Sequence, residues 1–288
     1  MRLFEERRRF LTGLAYRMLG SVADAEDAVQ ETCVRWLRAD RAAIGNPAAW
    51  LTTVCTRHCL DLLQSAQRAR VDYIGIWLPE PVQTAEAATP EDAAELASSL
   101  SMAFLLVLER LSPKERAAYL LHEVFDQSHA DVAATLGVTE AACRKLVSRA
   151  RAGVGHRGKR NTVSLERQDA LLSAFRQAVE TGDTTRLAAR LSEDIELRAD
   201  GGGKVPANPE PLVGRIDVLD FISGKLGIFW KNYAWRPISL NGFRGALLCE
   251  NGRIAASVSF SCDVEGRLSG IFITRNPEKL SRFEGGAI

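Results

Sequence analysis

The sequence predicts a multidomain protein: two all-α modules, the second a helix-turn-helix, followed by an α+β cone. Three observations carry this expectation. Residues 2–70 and 104–151 place apolar side chains at helical spacing between recognisable caps. Residues 71–103 hold Pro79, Pro81 and Pro90 and six acidic residues but no lysine or arginine, the composition of a tether that turns helical late. Beyond about residue 190 the period becomes two: in IAASVSFSCDV, Ile254, Ala256, Val258, Phe260 and Cys262 alternate with small or polar residues, which predicts one buried and one wet face. The boundaries that follow are 1–70, 71–103, 104–160 and 161–288.

In the first module, SVADAEDAVQETCVRWL starts with Ser21 as a cap, crowds acids into the first turn where the helix dipole favours them, and offers Val22, Ala25, Val29, Cys33, Trp36 and Leu37 as an apolar stripe. Asp24, Asp27, Gln30 and Glu31 form the opposite face. After the loop ending in Gly45, Asn46 and Pro47, a further helix runs from about Ala48 and carries Trp50 and Arg57. In the tether, Ile76, Trp77 and Leu78 followed by Pro79 are too apolar for a free linker and predict a docking site on a neighbouring domain.

In the second module, Ser112 followed by Pro113 is a strong helix start. Ser128 and Asp131 begin a helix of about two turns, Gly137 ends it, and Thr139 caps the next. Ala133 is small where two helices cross, and Val132, Leu136, Val138, Cys143 and Leu146 supply a shared core. This is a helix-turn-helix with 139–151 as the recognition helix. From 140 to 160 seven cations face only Glu140, an excess suited to a polyanion. Periodicity turns Arg144, Lys145, Ser148 and Arg149 outward, with Arg151 completing the basic set.

The last segment opens with helices in LERQDALLSAFRQAVETGD and DTTRLAARL. Strands follow in DIELRADGGGK, RPISLNG, GALLCENGR, IAASVSFSCDV and RLSGIFITR, with Asn251-Gly252 as a tight hairpin turn and a helix in GRIDVLDFISGKLGIFW. Helices on one side of a curved antiparallel sheet would make the cone. No apolar run reaches the roughly 18 residues of a membrane span, and MRLFEERRRF is charged where a signal peptide is apolar, so a cytoplasmic protein is expected. The six cysteines form no CxxC pair. Cys55, His58 and Cys59 lack a second ligand pair at zinc-site spacing, so neither metal nor other cofactor is expected.

Together, LAYRMLGSVADAEDAVQETCVRW and LSPKERAAYLLHEVFDQSHADVAATLGVTEAACRKLVSRAR resemble region 2 and region 4 of the extracytoplasmic-function (ECF) RNA polymerase sigma factors. Trp77 to Pro79 (WLP), Asp200 to Lys204 (DGGGK) and Asn276 to Lys279 (NPEK, with Glu278 where the subgroup has aspartate) resemble the subgroup with a SnoaL-like, or NTF2-like, C-terminal extension. The resemblance implies a binding protein and not an enzyme, with core RNA polymerase and promoter DNA as partners and a region 2 bundle, a region 4 helix-turn-helix and an NTF2-like cone as its parts.

It further implies that Asp24, Asp27, Gln30 and Glu31 face the polymerase clamp helices and that Asn46, Arg57 and Trp50 meet the minus-10 element, unless Trp50 is instead a buried anchor. Thr139, Arg144, Lys145, Ser148, Arg149 and Arg151 would meet the minus-35 element. Regulation is expected from intramolecular docking: Gly201, Gly202 and Gly203 allow close approach, and Lys204 offers a cation to the acidic tether near Trp77, Leu78 and Pro79, with Asn276, Pro277, Glu278 and Lys279 beside it. Residues 157–288 contain no histidine, which disfavours catalysis in the cone. The alternative is a one-component helix-turn-helix regulator with a ligand-sensing cone, which leaves residues 21–70 without a purpose.

Overall fold

A computed structural model of the chain describes residues 1–71, 73–84, 99–155 and 163–283. Residues 85–98 of the tether lie outside the described residues; at its end Ser99 and Leu100 are helical and a further helix starts at Met102, as the sequence leads one to expect of its late part. The chain divides into two compact units, Met1–Asp72 with Leu105–His156, and Tyr73–Phe104 with Arg157–Ile288. A short helix, α4 (Met102–Leu108), spans the division. Among the described residues no helix is long and apolar enough to cross a membrane.

The first unit begins with α1 (Arg2–Leu19) and α2 (Val22–Arg38). Ser21 caps α2, its Oγ accepting the Asp24 N–H at 3.2 Å. The helix buries Ala25, Ala28, Val29, Thr32 and Trp36. This corrects the expected stripe: Leu37 is 51% exposed, and Cys33 is only partly buried. Thr32 takes a core position because its hydroxyl donates to the Ala28 carbonyl at 2.8 Å, so its polarity is satisfied within the helix. Helix α3 (Pro47–Val71) follows, with Asn46 Oδ1 accepting the Ala49 N–H at 3.1 Å.

In the same unit, α5 (Pro113–Tyr119) starts on a complete capping box between Ser112 and Glu115 and runs into a π-helical turn, Leu120–Val124. Its Arg116 is 2% exposed. One Nη donates to the Met18 carbonyl at 2.5 Å and to Glu109 at 2.7 Å. Burial lowers this guanidinium to about 10, still charged at neutral pH, so α5 is pinned to the end of α1 by a paired internal cation. Helix α6 (His129–Leu136) ends on Gly137 at φ 63°, ψ 41°, and the Val138 N–H returns to the Ala133 carbonyl at 3.0 Å. Thr139 then caps α7 (Glu140–Val154), its Oγ1 accepting the Ala142 N–H at 3.2 Å. The helix-turn-helix is thus built from local signals.

The second unit holds α8 (Leu165–Thr181), α9 (Thr185–Ala188), β1 (Leu191–Asp200), β2 (Leu212–Val213), α10 (Arg215–Asp220), a π-helical turn (Phe221–Leu226), α11 (Gly227–Trp230), β3 (Ala234–Leu240), β4 (Phe243–Glu250), β5 (Arg253–Cys262), β6 (Leu268–Thr274) and α12 (Pro277–Leu280). The sheet order is β2-β1-β6-β5-β4-β3. The expected all-antiparallel sheet is corrected here, because β1 pairs with β6 in parallel while the remaining neighbours are antiparallel. β1 and β6 are separated by the whole hairpin succession, and a connection of that length permits either direction. Asn251 (φ 51°) and Gly252 (φ 78°) make the β4–β5 hairpin turn as expected.

One face of the sheet packs Phe175, Trp230, Val258, Phe260 and Ile271 into the main core. The other face was expected to be wet and is not: Ser257, Ser259 and Ser261 are 2%, 3% and 8% exposed. Leu280 and Phe283, from α12 and the 3₁₀ turn after it, pack with Leu240 and Leu247 into a second, smaller core. Serine side chains are small enough to let a covering segment approach, so alternation with serine does not by itself mean exposure.

Candidate functional site

On α7 the outward row is as expected, but the buried side takes Val147 where Leu146 was expected, Leu146 being only partly buried. Cys143, Val147, Ala150 and Val154 are buried, and Arg144, Lys145, Ser148, Arg149 and Arg151 are exposed. Two of the cations are already held by carboxylates: Arg144 by Glu140 at 2.5 Å and Arg151 by Glu123 at 2.6 Å. Lys145 and Arg149 have no ion-pair partner among the described residues. Their charges therefore lie open to solvent on one face, as a helix that meets phosphate and base edges requires. Thr139 sits at the start of this face with its hydroxyl oxygen occupied by capping.

Asp24, Asp27 and Gln30 are exposed along α2, with Glu31 partly buried beside them. Arg35 holds Glu31 at 2.8 Å, and this hydrogen bond keeps the Glu31 carboxyl below the usual range. Of the residues expected at the minus-10 element, Asn46 and Arg57 are exposed and Trp50 is partly buried, and each already has a partner within the unit. Asn46 is spent capping α3. Trp50, partly buried, lies against Trp36 with ring centroids 5.6 Å apart. Arg57, about 10 Å beyond Trp50 on α3 at 1.5 Å per residue, donates from Nε to the Thr135 carbonyl of α6 at 3.2 Å, and Thr53 Oγ1 lies 3.3 Å from Thr135 Oγ1.

The second unit gathers the three remaining motifs into one cluster around Asp200. This carboxylate is fully buried. Oδ1 accepts from the Tyr73 hydroxyl at 2.6 Å and the Gly202 N–H at 3.0 Å. Oδ2 accepts from the Leu78 N–H at 2.9 Å and from Lys279 Nζ at 2.7 Å. Lys279 Nζ also donates to the Leu78 carbonyl at 2.5 Å and stands 4.5 Å from the Trp77 ring centroid and 5.2 Å from that of Tyr73. Leu78 is fully buried. Four donors on one buried carboxylate and a cation over two aromatic rings make a clamp on residues 73–79. Burial, reinforced by the Asp200 carboxylate, pushes the Tyr73 hydroxyl well above the ordinary tyrosine range.

Gly202 and Gly203 adopt φ 62° and 69°, a region that side chains disfavour. A Cβ on Gly202 would overlap the Asn276 amide, and one on Gly203 would meet Ile74 at 3.0 Å. Asn276 in turn donates from Nδ2 to the Tyr73 oxygen at 3.0 Å and caps α12 through Oδ1, with Pro277 as the first helical residue. Lys204 does not take the role expected of it. It pairs with Glu278, and Lys279 is the cation on the linker. Pro79 is buried, and Glu80 meets Arg282 at 3.3 Å.

Two anchoring residues were not singled out from the sequence. Tyr73 precedes the WLP motif and carries no local signal. Asn241 accepts the Val82 N–H at 3.1 Å and donates to the Leu100 carbonyl at 3.1 Å. Its positive φ of 51° beside Gly242 marks a hairpin turn, but nothing nearby in sequence points to the linker.

Residues 3–69 match the Sigma-70 region 2 family, and residues 101–152 match the family described as Sigma-70, region 4. The chain is 40% identical to the ECF RNA polymerase sigma factor SigJ of Mycobacterium tuberculosis, over 96% of this chain and 92% of that protein. It belongs to the ECF RNA polymerase sigma factors. This sigma factor is also 35% identical to the probable ECF RNA polymerase sigma factor SigI of the same species, over 65% of each chain. The crystal structure of M. tuberculosis SigJ is similar to it with a TM-score of 0.74 at 34% identity, covering 96% of this chain and 97% of that one. The C-terminal α+β domain of this sigma factor is accordingly NTF2-like, and its two helical modules are sigma regions 2 and 4.

Proposed function

We propose that the chain works as a cytoplasmic, non-enzymatic initiation factor whose segments 1–70, 71–103, 104–160 and 161–288 are respectively the minus-10 module, the tether, the minus-35 module and a regulatory domain. The observation that carries the reading is the exposed row Arg144, Lys145, Ser148 and Arg149 on a helix whose opposite side is buried in a helix-turn-helix. In the major groove at the minus-35 element, Arg149 or Arg144 supplies the paired donors that fit guanine, and Lys145 and Arg151 hold phosphate. Arg144 and Arg151 exchange a carboxylate for DNA when they engage.

Asp24, Asp27, Gln30 and Glu31 present carboxylates and an amide to the polymerase clamp helices. Trp50 and Asn46 meet the minus-10 element together with Arg57. Arg57 exchanges its bond to the Thr135 carbonyl for DNA, or meets DNA through its remaining donors, as this step proceeds.

Regulation acts through the clamp. The hydrogen bonds of Asp200 and Lys279 to Tyr73 and Leu78 support a reading in which the NTF2-like domain shortens the tether and so sets how regions 2 and 4 are spaced. The test is footprinting of a promoter by core polymerase with the chain. Protection at both elements is expected, and Arg149→Glu should erase protection at minus-35 while co-elution with core persists. Unchanged protection by Arg149→Glu would remove α7 from the minus-35 role.

A further inference from the structure

The cone encloses a cavity of about 390 Å³, within the roughly 300–1,000 Å³ that small-molecule sites occupy. Trp230 and Ile273 are buried in its wall, and Phe229 lines it while 66% exposed, marking the mouth. Lys225 and Arg275 line the same space, and none of the described residues around it is a carboxylate. An apolar wall with two cations and no acid disfavours a cationic guest and rewards an anionic one.

Arg275 makes the preference specific. Its Nη1 donates to the Pro206 carbonyl at 2.5 Å, but its Nε is buried with no acceptor among the described residues. With Nε sealed from solvent and Nη1 on Pro206, a guest meets Arg275 through its remaining Nη donors and its fixed positive charge, and an anionic oxygen is the partner that suits both. The cavity also adjoins the clamp. Ala199 lines it, and the next residue, Asp200, lies on the opposite side of β1 with its carboxylate on the linker. The Asp200 carbonyl accepts the backbone N–H groups of Arg275 at 2.7 Å and Asn276 at 3.0 Å.

We propose that this cavity binds a small amphipathic carboxylate, aromatic or medium-chain, whose anionic end is held by Arg275 and Lys225, and that its binding tightens the clamp through Asp200. The tightening rests on the regulatory reading above; the binding site does not. A ligand that ties Arg275 in place stabilises the β1–β6 junction that presents Asp200, and linkage then favours the closed clamp.

The test uses the full chain, titrated calorimetrically with octanoate and, as controls of equal length, octylammonium and octanol. Anilinonaphthalene sulfonate serves as a fluorescent competitor. Saturable binding of one octanoate per chain is expected, with octylammonium weaker by about tenfold or more. Lys225→Glu, an exposed change that spares the fold, should weaken octanoate about tenfold, and Arg275→Leu should abolish binding. If Arg275→Leu fails to fold, Lys225→Glu decides alone. No saturable binding of octanoate or the sulfonate below about 1 mM, or equal binding of octanoate and octylammonium, overturns the site. Octanoate should also slow amide exchange at Leu78 in the wild type but not in Asp200→Asn. Charge-selective binding with unaltered Leu78 exchange overturns the coupling and leaves the site standing. Failure of every probe, alongside altered transcription by Asp200→Asn, overturns the site and leaves the regulatory reading intact.

Discussion

Asp200→Asn is the most informative single change in the clamp, because it removes the charge and keeps the shape. Each carboxylate oxygen of Asp200 faces two donors: Oδ1 faces the Tyr73 hydroxyl and Gly202 N–H, and Oδ2 faces the Leu78 N–H and Lys279 Nζ. An amide with its NH₂ toward Leu78 and Lys279 opposes two donors, and turned the other way it still opposes the Gly202 N–H, since only the Tyr73 hydroxyl can rotate to accept, so at least one hydrogen bond becomes a repulsive contact. Lys279, only 13% exposed, also loses its buried counter-ion. Breaking one side of a buried pair costs about 3–5 kcal/mol. Lys279 keeps the Leu78 carbonyl and the faces of Trp77 and Tyr73, which places the cost near the lower end, about 3 kcal/mol. That raises the equilibrium for opening residues 73–79 roughly 100-fold. Native-state hydrogen exchange at the Leu78 amide reads this directly, and a rise of about that size is expected while amides in the β4–β5 hairpin keep their protection. Leu78 exchange equal to wild type would refute the assignment of Asp200 as the centre of the clamp.

Three further outcomes follow from the same geometry. Gly202→Ala should destabilise the second unit by about 1–3 kcal/mol, since it combines a disfavoured φ with overlap against Asn276, and thermal unfolding of that unit checks it. The clamp should weaken at high pH: Tyr73 is raised in the folded state, so its stabilising contribution is complete below the free tyrosine value of about 10 and falls away as pH climbs above it. Protection of Leu78 that is flat from pH 7 to 9 and declines beyond 10 is expected, and Tyr73→Phe should remove the decline. In the DNA-binding module, Arg149→Ala should cost about 1–3 kcal/mol on the promoter if it reads a guanine, whereas Lys145→Ala should lower affinity for all sequences alike and reduce the salt slope by about one.

What could be read from the sequence was what is encoded locally. The caps at Ser21, Ser112, Ser128 and Thr139, the left-handed Gly137 and the outward row on α7 each depend on residues within one or two turns, and the structure places them as expected. The Asn251-Gly252 turn is of the same kind. Clustering of the linker with the DGGGK and NPEK motifs was expected from resemblance, but its chemistry was not. Lys204 and Lys279 flank different motifs, and no sequence rule says which cation reaches Leu78 across some 200 positions. Tyr73 stayed hidden because its partner Asp200 is 127 residues away. The parallel β1–β6 pair and the buried serines of β5 depend on which strand lies beside β6 and which segment covers the second face, and those partners are β1 and the tail at 277–283, both outside β5 and its hairpins.

The most direct measurement of sigma-factor function is run-off transcription by core polymerase on a genomic promoter pool, with and without the full chain. Discrete start sites that appear only with the chain, shift in level with Asp200→Asn and vanish with Arg149→Glu are the predicted result. Transcripts identical to those of core alone, or a chain that fails to co-elute with core, would contradict it.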